Sequence, residues 1–196
     1  MPWRSLLLFV AVSGCLYGSV MGSFGARPLQ ALYSACKVPL LVGAATAVCL
    51  PNFYVVNVLL GLRDDFSAAC RGILAAQATL TVALASLAPV TLLVYASSDH
   101  YELCLVWNGL VFAAGTAAGQ ATLRRHYRPL IAANPGHRAA RTAWLLLYVF
   151  VAVQLAWVLR PFLGAPGLAT SFFRAGAWTN AYVEVAGIVT RLFHGG

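Results

Sequence analysis

Charged side chains are scarce in this chain of 196 residues: only 9% are Asp, Glu, Lys or Arg, whereas 61% are hydrophobic. Soluble domains average about 25% charged residues, so these few charges could not cover the surface of a soluble protein. Acidic residues are the rarest, with five against 13 Lys and Arg. A net charge of +8 can indicate nucleic-acid binding, but basic loops beside hydrophobic spans are the ordinary orienting signal of membrane proteins. We therefore expect a membrane protein with no nucleic-acid partner.

Motifs for catalysis and for metal or cofactor binding are also missing. The five cysteines and four histidines show no CxxC or HExxH spacing, which argues against a metal or redox site. The only adjacent acidic pair, Asp64-Asp65, precedes a predicted helix, where a carboxylate offsets the helix dipole and caps amides. We predict that Asp65 or Ser67 caps this helix. The sequence thus predicts no catalytic residue, no cofactor and no metal, and a protein that is not an enzyme.

The chain contains five long stretches without a charged residue or histidine. A helix that crosses the hydrocarbon core of a bilayer needs about 20 mainly apolar residues, and each stretch approaches or exceeds that length. The sequence predicts an all-α integral membrane protein, a bundle of about five transmembrane helices with a C-terminal amphipathic interfacial helix. The transmembrane domain is residues 1–160, with spans at about 6–23, 38–60, 69–95, 103–123 and 143–159.

The chain changes character after residue 160. Residues 161–196 are predicted to form a linker rich in proline and glycine, followed by a short amphipathic helix. Glu184 near the middle of that helix argues against a sixth span and favours a position in the membrane interface. The apolar face recurs at helical spacing and consists of Trp178, Tyr182, Val185, Val189 and Leu192.

The loop charges predict an orientation. The connection at 124–141 carries five arginines, whereas the loop at 97–102 is acidic and contains no Lys or Arg. Positive loops stay in the cytoplasm, so the N-terminus and the 124–141 loop are predicted to be cytoplasmic, in the bacterial cytoplasmic membrane. Arg124, Arg125 and Arg128 are predicted contacts for anionic lipid headgroups, although a purely orienting role explains these arginines equally well.

The N-terminal segment allows a second interpretation. Residues 12–15, Val-Ser-Gly-Cys, resemble a bacterial lipobox, in which Cys15 would be lipidated after cleavage. The apolar run before Cys15 is short and hydrophobic character continues beyond it, which favours an uncleaved first span. Intact-mass spectrometry distinguishes the two, because a mature chain starting at Cys15 would eliminate that span.

Small residues recur every four positions in two spans. Gly14, Gly18 and Gly22 lie in the first span, and Gly115 and Gly119 in the fourth. Residues four apart share one helix face, so these glycines allow close approach of another helix. Packing within the bundle is favoured because short-looped helices must pack on one another first. A homo-oligomer or a membrane protein partner is the alternative.

Polar residues inside the spans form a second predicted constellation. Pro51 predicts a kink or break near residues 49–52 of the second span. Polar side chains are costly in hydrocarbon and should face the bundle interior. They could form a polar site or solute pathway around a broken helix, but interhelical hydrogen bonds are the favoured interpretation. The candidate polar residues are Asn52, Tyr54, Asn57, Asn108 and Gln154.

Arg160 is the charged residue that ends the fifth span, directly before Pro161. In the predicted topology it shares a membrane side with Asp99 and Glu102. We predict an ion pair between Arg160 and one of these acids, since an arginine half in lipid gains more from a partner than a surface pair does. Snorkelling of Arg160 to the interface is the alternative.

Two separated stretches carry a family resemblance. Lys37-Val38-Pro39 followed by residues 51–57 and Gly61, together with residues 157–166 and 172–174, resembles a pattern in small bacterial multi-pass membrane proteins. The Lys-Pro opening, the Asn and Gly that end one span, and the Phe66-Ser67 start of the next also resemble distant Yip1-like membrane proteins. The resemblance implies a shared five-helix architecture and supplies no activity or site residue.

The function predicted from these features is non-enzymatic, with an interaction or organising role in the bilayer. The alternative is a small channel or solute transporter with a polar site near the broken second span. A lipid-modifying enzyme ranks third, because it would require Asp64, Asp65 and the arginine loop to share one polar cleft.

Overall fold

Helices form nearly the whole of the described chain, and no strand occurs within it. The computed structural model describes residues 2–164, 167, 169–174 and 179–183. Within these ranges the helices are α1 (Trp3–Gly22), α2 (Pro28–Leu59), α3 (Phe66–Ser86), α4 (Ala88–Ser97), α5 (Tyr101–Ala133) and α6 (Gly136–Val158).

Five helical segments are long and apolar enough to cross a membrane: α1, α2, α3 with α4, α5 and α6. Large apolar side chains on their outer faces are exposed, among them Leu8, Leu93 and Leu146, as a lipid-facing surface requires. The all-α bundle of five membrane-spanning segments is thereby confirmed. Most of the predicted interfacial helix lies outside the described residues. Cys15 lies within α1 with an exposed side chain, and its lipidation stays a prediction.

The second span is longer than predicted and is not interrupted. α2 begins at Pro28, ten residues before the predicted start at 38, and continues through Pro39 and Pro51 to Leu59. Proline suits the first turn of a helix because no intrahelical partner exists there for its missing N–H. An interior proline removes a single backbone donor, and here the turns on either side keep the helix continuous. The predicted break near Pro51 is therefore wrong, and the alternative of a kink there stays a prediction.

The interruption lies in the third span instead. Residues 69–95 were predicted as one span, but α3 ends at Ser86 and α4 begins at Ala88. The amide of Leu87 is shared between the carbonyls of Ala83 and Leu84, at 3.2 and 3.1 Å. Pro89 then lies in the first turn of α4, where its missing N–H is tolerated.

The predicted 124–141 loop is helical. α5 continues to Ala133 and α6 begins at Gly136, so only two residues lie between the helices. Asn134 accepts a hydrogen bond from the Gly136 amide through its Oδ1, at 2.9 Å. Arginine is a good helix former, so basic residues that leave the apolar region can extend a helix as readily as form a loop.

The glycines of α1 and α5 lie where helices of this bundle touch. An ideal Cβ placed on Gly18 would come within 2.9 Å of the Ala35 Cα on α2. One on Gly119 would come within 2.9 Å of the Ala76 carbonyl oxygen on α3. The same faces place Gly14 against Pro39, Gly22 against Ala31, and Gly115 against Leu84.

Two apolar clusters form the interior. One contains Tyr17, Val38, Leu84 and Val111, and lies among α1, α2, α3, α4 and α5. The other contains Phe53 and Trp144, whose rings meet edge to face at 5.2 Å, and joins α2 to α6. Helices distant in sequence thus share one bundle, and the chain after α6 returns to the end at which α2 begins.

Candidate functional site

A buried polar stripe on α2 holds the chain that follows α6. Gln30, Ser34 and Lys37 are all 0% exposed, and their spacing of four and three residues places them on one helix face. We call these three residues the α2 stripe. Such polar groups are costly to bury in a membrane bundle unless each finds a partner.

Backbone carbonyls beyond α6 are the partners of the α2 stripe. Lys37 Nζ donates to the Pro161 carbonyl at 2.7 Å, and Gln30 Nε2 donates to the carbonyls of Pro161 and Phe162, both at 3.0 Å. Ser34 also donates to the Phe162 carbonyl. Because residues after a helix end lack intrahelical partners, the stripe and this segment satisfy each other.

The ammonium group of Lys37 is enclosed by aromatic rings. Lys37 Nζ lies 4.9 Å from the centroid of the Phe172 ring and 6.0 Å from that of Phe162. Phe172 in turn meets Tyr33 of α2 edge to face at 5.4 Å. Cation–π attraction strengthens on desolvation, so the rings help to hold a charge that the bundle has removed from water.

A cavity of about 550 Å³ lies beside this junction. Its basic lining comes from Arg27 before α2, Arg160 after α6, and Arg174 farther along the chain. None of the described residues that line it is acidic. We call it the arginine pocket; its other lining residues include Met21, Gln30, Tyr101, Leu105, Val153, Trp157 and Gly164.

Trp157 fixes two of these arginines. The guanidinium carbon of Arg160 lies 3.1 Å from the Trp157 ring centroid, and that of Arg174 lies 4.8 Å from it. Gly164 leaves room for the third, because an ideal Cβ there would lie 3.0 Å from Arg27 Cδ. An aromatic platform and a missing side chain therefore bring three positive groups to one cavity.

The predicted ion pair of Arg160 with Asp99 or Glu102 does not form among the described residues, where the pair within 4.0 Å is Asp65 with His137. Tyr101, not Glu102, lines the arginine pocket, and Glu102 is exposed. Successive helical residues point about 100° apart. The predicted pair is therefore wrong. Arg160 lies on the Trp157 ring, and its Nε donates to the Trp157 carbonyl at 3.4 Å.

Asn108 lies at the centre of a buried hydrogen-bond network. Its Oδ1 accepts from the Tyr17 hydroxyl at 2.7 Å, and its Nδ2 donates to the Tyr95 hydroxyl at 2.6 Å and the Cys104 carbonyl at 2.7 Å. One side chain thereby joins α1, α4 and α5. The network satisfies groups that the apolar interior would otherwise penalise.

Gln154 fastens the segment at 179–183 to α6. Its Nε2 donates to the Thr179 carbonyl at 3.1 Å, and its Oε1 accepts from the Ala181 amide at 2.9 Å. The rings of Phe150 and Tyr182 stack beside this contact at 4.8 Å. A residue chosen from sequence as a pathway candidate thus binds backbone.

The three remaining polar candidates lie apart from these networks. Asn52 is exposed, and Tyr54 packs edge to face on Phe66 at 5.0 Å. Asn57 is buried and donates to the Phe53 carbonyl of its own helix at 2.8 Å. None of the five predicted polar residues lines the arginine pocket, and the structure does not gather them into one site.

Asp65 and His137 meet at the opposite end of the bundle. His137 Nε2 lies 3.0 Å from Asp65 Oδ2, and His137 is fully buried. Asp65 is the N-cap residue of α3, yet its side chain makes no capping hydrogen bond; the prediction that it caps the helix is wrong because the carboxylate turns to His137. Arg124, Arg125 and Arg128 are exposed on α5. No group of metal-ligating residues occurs in the described part of the chain.

The α2 stripe is the feature that sequence analysis missed. Its signal is three polar residues at spacings of four and three, and all three precede residue 38, the predicted start of the second span. Comparison of the chain with family models, curated proteins and solved structures finds no match.

Proposed function

We propose that this multi-pass membrane protein is non-enzymatic and has an interaction or organising role in the bilayer. The observation that carries the proposal is the use of its intramembrane polar groups. Asn108 joins three helices, and Gln154 and the α2 stripe hold backbone segments. Polar groups whose hydrogen bonds are used in this way stabilise the bundle, which supports an organising role.

The alternative, a channel or transporter, depended on a broken second span with asparagines beside the break. α2 is continuous through Pro51, and Asn57 bonds within its own helix. Discontinuous helices supply the backbone groups that bind ions and substrates in many transporters. The channel or transporter alternative therefore has less support from the structure than it had from the sequence.

The orientation and partners belong to the same proposal. We place the N-terminus and the turn between α5 and α6 in the cytoplasm of a bacterial cell. Exposed Arg124, Arg125 and Arg128 support contact with anionic headgroups at that face. A second copy or another membrane protein would bind the outer helix faces, because the glycines of α1 and α5 are used within the bundle.

Proteoliposomes test the proposal. Vesicles that contain the purified full chain should release glycerol, K⁺ and protons no faster than protein-free vesicles. Chemical cross-linking in native membranes should give a discrete larger species. Asn108→Leu should lower thermal stability without changing vesicle permeability, whereas Asn52→Leu, on the bundle surface, should change neither. Solute flux above background that Asn108→Leu abolishes would establish a transport pathway instead.

A further inference from the structure

The arginine pocket combines a positive lining with a size suited to a small ligand. Three guanidinium groups line about 550 Å³, and no described lining residue is acidic. Ligand pockets commonly enclose about 300–1,000 Å³. Arg27 and Arg160 make other contacts within the chain, and a guanidinium with five N–H donors serves several acceptors at once.

The guanidinium groups are held in place before any ligand arrives. Arg160 and Arg174 both lie on Trp157, and such stacking restricts the motion of a long side chain. Planar guanidinium groups form paired, charge-assisted hydrogen bonds with phosphate oxygens. A pre-positioned pair loses less conformational entropy on binding, so phosphate is the anion that this geometry fits.

The apolar wall of the pocket continues onto the lipid-facing surface. Leu105 and Val153 line the pocket and are 50% and 45% exposed on membrane-spanning helices. A soluble phosphate compound has no long apolar part to pack against this wall, whereas an acyl chain would follow it out of the pocket into the bilayer. This continuity distinguishes a lipid from a free phosphate.

Gln30 adds a requirement for a hydrogen-bond donor. It lines the pocket and is fully buried, and its Oε1 accepts no hydrogen bond from the described residues. A buried acceptor without a donor is costly. A hydroxyl on the lipid headgroup is the group that would complete it.

We propose that the arginine pocket binds an anionic phospholipid with a hydroxylated headgroup, of the phosphatidylglycerol type. The phosphate lies among Arg27, Arg160 and Arg174, a headgroup hydroxyl donates to Gln30 Oε1, and an acyl chain runs along Leu105 and Val153. This inference rests on the proposed organising function and names a ligand class for it. A transporter could also bind a lipid in this pocket, so vesicle flux tests the proposed function, whereas lipid binding tests the pocket.

Native mass spectrometry of the full chain in detergent measures the binding directly. The probes are dioleoyl phosphatidylglycerol, dioleoyl phosphatidic acid, dioleoyl phosphatidylcholine and glycerol 1-phosphate. Phosphatidylglycerol should bind most tightly. Arg174→Gln should weaken its binding about tenfold, the effect of losing one charge-assisted contact, and Arg27→Gln combined with Arg174→Gln should weaken it further. The charge-matched control is Arg63→Gln combined with Arg138→Gln, two exposed arginines at the opposite end of the bundle, which should leave binding unchanged.

Three outcomes would overturn the proposal. Equal affinity for phosphatidylcholine and phosphatidylglycerol would show that the pocket is an apolar groove without charge selectivity. Equally tight binding of glycerol 1-phosphate would identify a soluble ligand. Loss of binding in the Arg63 and Arg138 variant, but not in the Arg174 variant, would place the lipid at the other membrane face.

Gln30→Met tests the headgroup hydroxyl, because it should reduce the preference for phosphatidylglycerol over phosphatidic acid. An unchanged preference would contradict the contact with Gln30. Arg174 is exposed, so its variant should fold, and an unchanged melting temperature checks this.

Discussion

Replacement of Gly18 by alanine should destabilise the bundle, whereas the same change at two other helical glycines should not. The new Cβ would lie 2.8 Å from the Ser34 carbonyl carbon and 2.9 Å from the Ala35 Cα. Both atoms belong to the backbone of α2, so no side-chain rotation relieves the contact. α1 and α2 would have to move apart to relieve the contact, and the packing along their interface would loosen.

The magnitude follows from two opposing terms. Overpacking a well-filled interior costs about 1–3 kcal/mol, and alanine recovers about 0.5–1 kcal/mol relative to glycine within a helix. At Gly43 in α2 and Gly109 in α5 a Cβ would meet nothing within 4 Å, so only the favourable term applies. We therefore expect Gly18→Ala to be less stable than wild type, and Gly43→Ala and Gly109→Ala to be at least as stable.

Reversible unfolding in mixed micelles, in which dodecyl sulfate displaces a mild detergent, measures these differences on the full chain. Circular dichroism at 222 nm reports the helix content. The two control variants carry the same chemical change, so their difference from Gly18→Ala isolates the contact with α2. Stability of Gly18→Ala equal to that of Gly43→Ala would refute the close packing of α1 on α2.

Two further substitutions test the polar contacts. Lys37→Leu removes one of two donors to the Pro161 carbonyl and should lower the free energy of unfolding by about 1–2 kcal/mol; a melting temperature equal to that of wild type would contradict the role of the α2 stripe. Gln154→Leu removes two hydrogen bonds to residues 179–181 and should speed proteolytic cleavage of the chain after residue 164 several-fold, while the helix content stays constant. Cleavage at the wild-type rate would show that Gln154 does not hold this segment.

The five spans could be predicted because the length and the apolar character of a span can be read directly from consecutive residues of the sequence. The position of a proline-induced break could not. Pro51 and Pro89 look alike in sequence, but Pro51 lies within a continuous helix and Pro89 starts a new one. A proline leaves one backbone carbonyl without its hydrogen-bond donor, and whether the helix tolerates this loss depends on the neighbouring helices. The sequence does not show which helices are neighbours.

The arginine pocket was predictable only in part. Arg160 stood out because it ends an apolar run, and Trp157 is only three residues before it. Arg27 joins them only because the chain returns to the start of α2. Lys37 precedes the predicted second span, which starts at residue 38, but it lies buried within α2. Contacts that join residues more than 120 positions apart leave no periodic mark in either segment alone.

The separation of the α2 stripe from its partners also orders events during synthesis. Gln30, Ser34 and Lys37 reach the membrane early, whereas the carbonyls of Pro161 and Phe162 arrive after every span has been made. Until then α2 carries a polar face that hydrocarbon cannot satisfy, and the ribosome adds the intervening residues at about 5–20 per second. The second helix therefore depends on water, a translocation partner or a neighbouring lipid headgroup for about 6–26 s. In a chain cut short before residue 161 this dependence would persist.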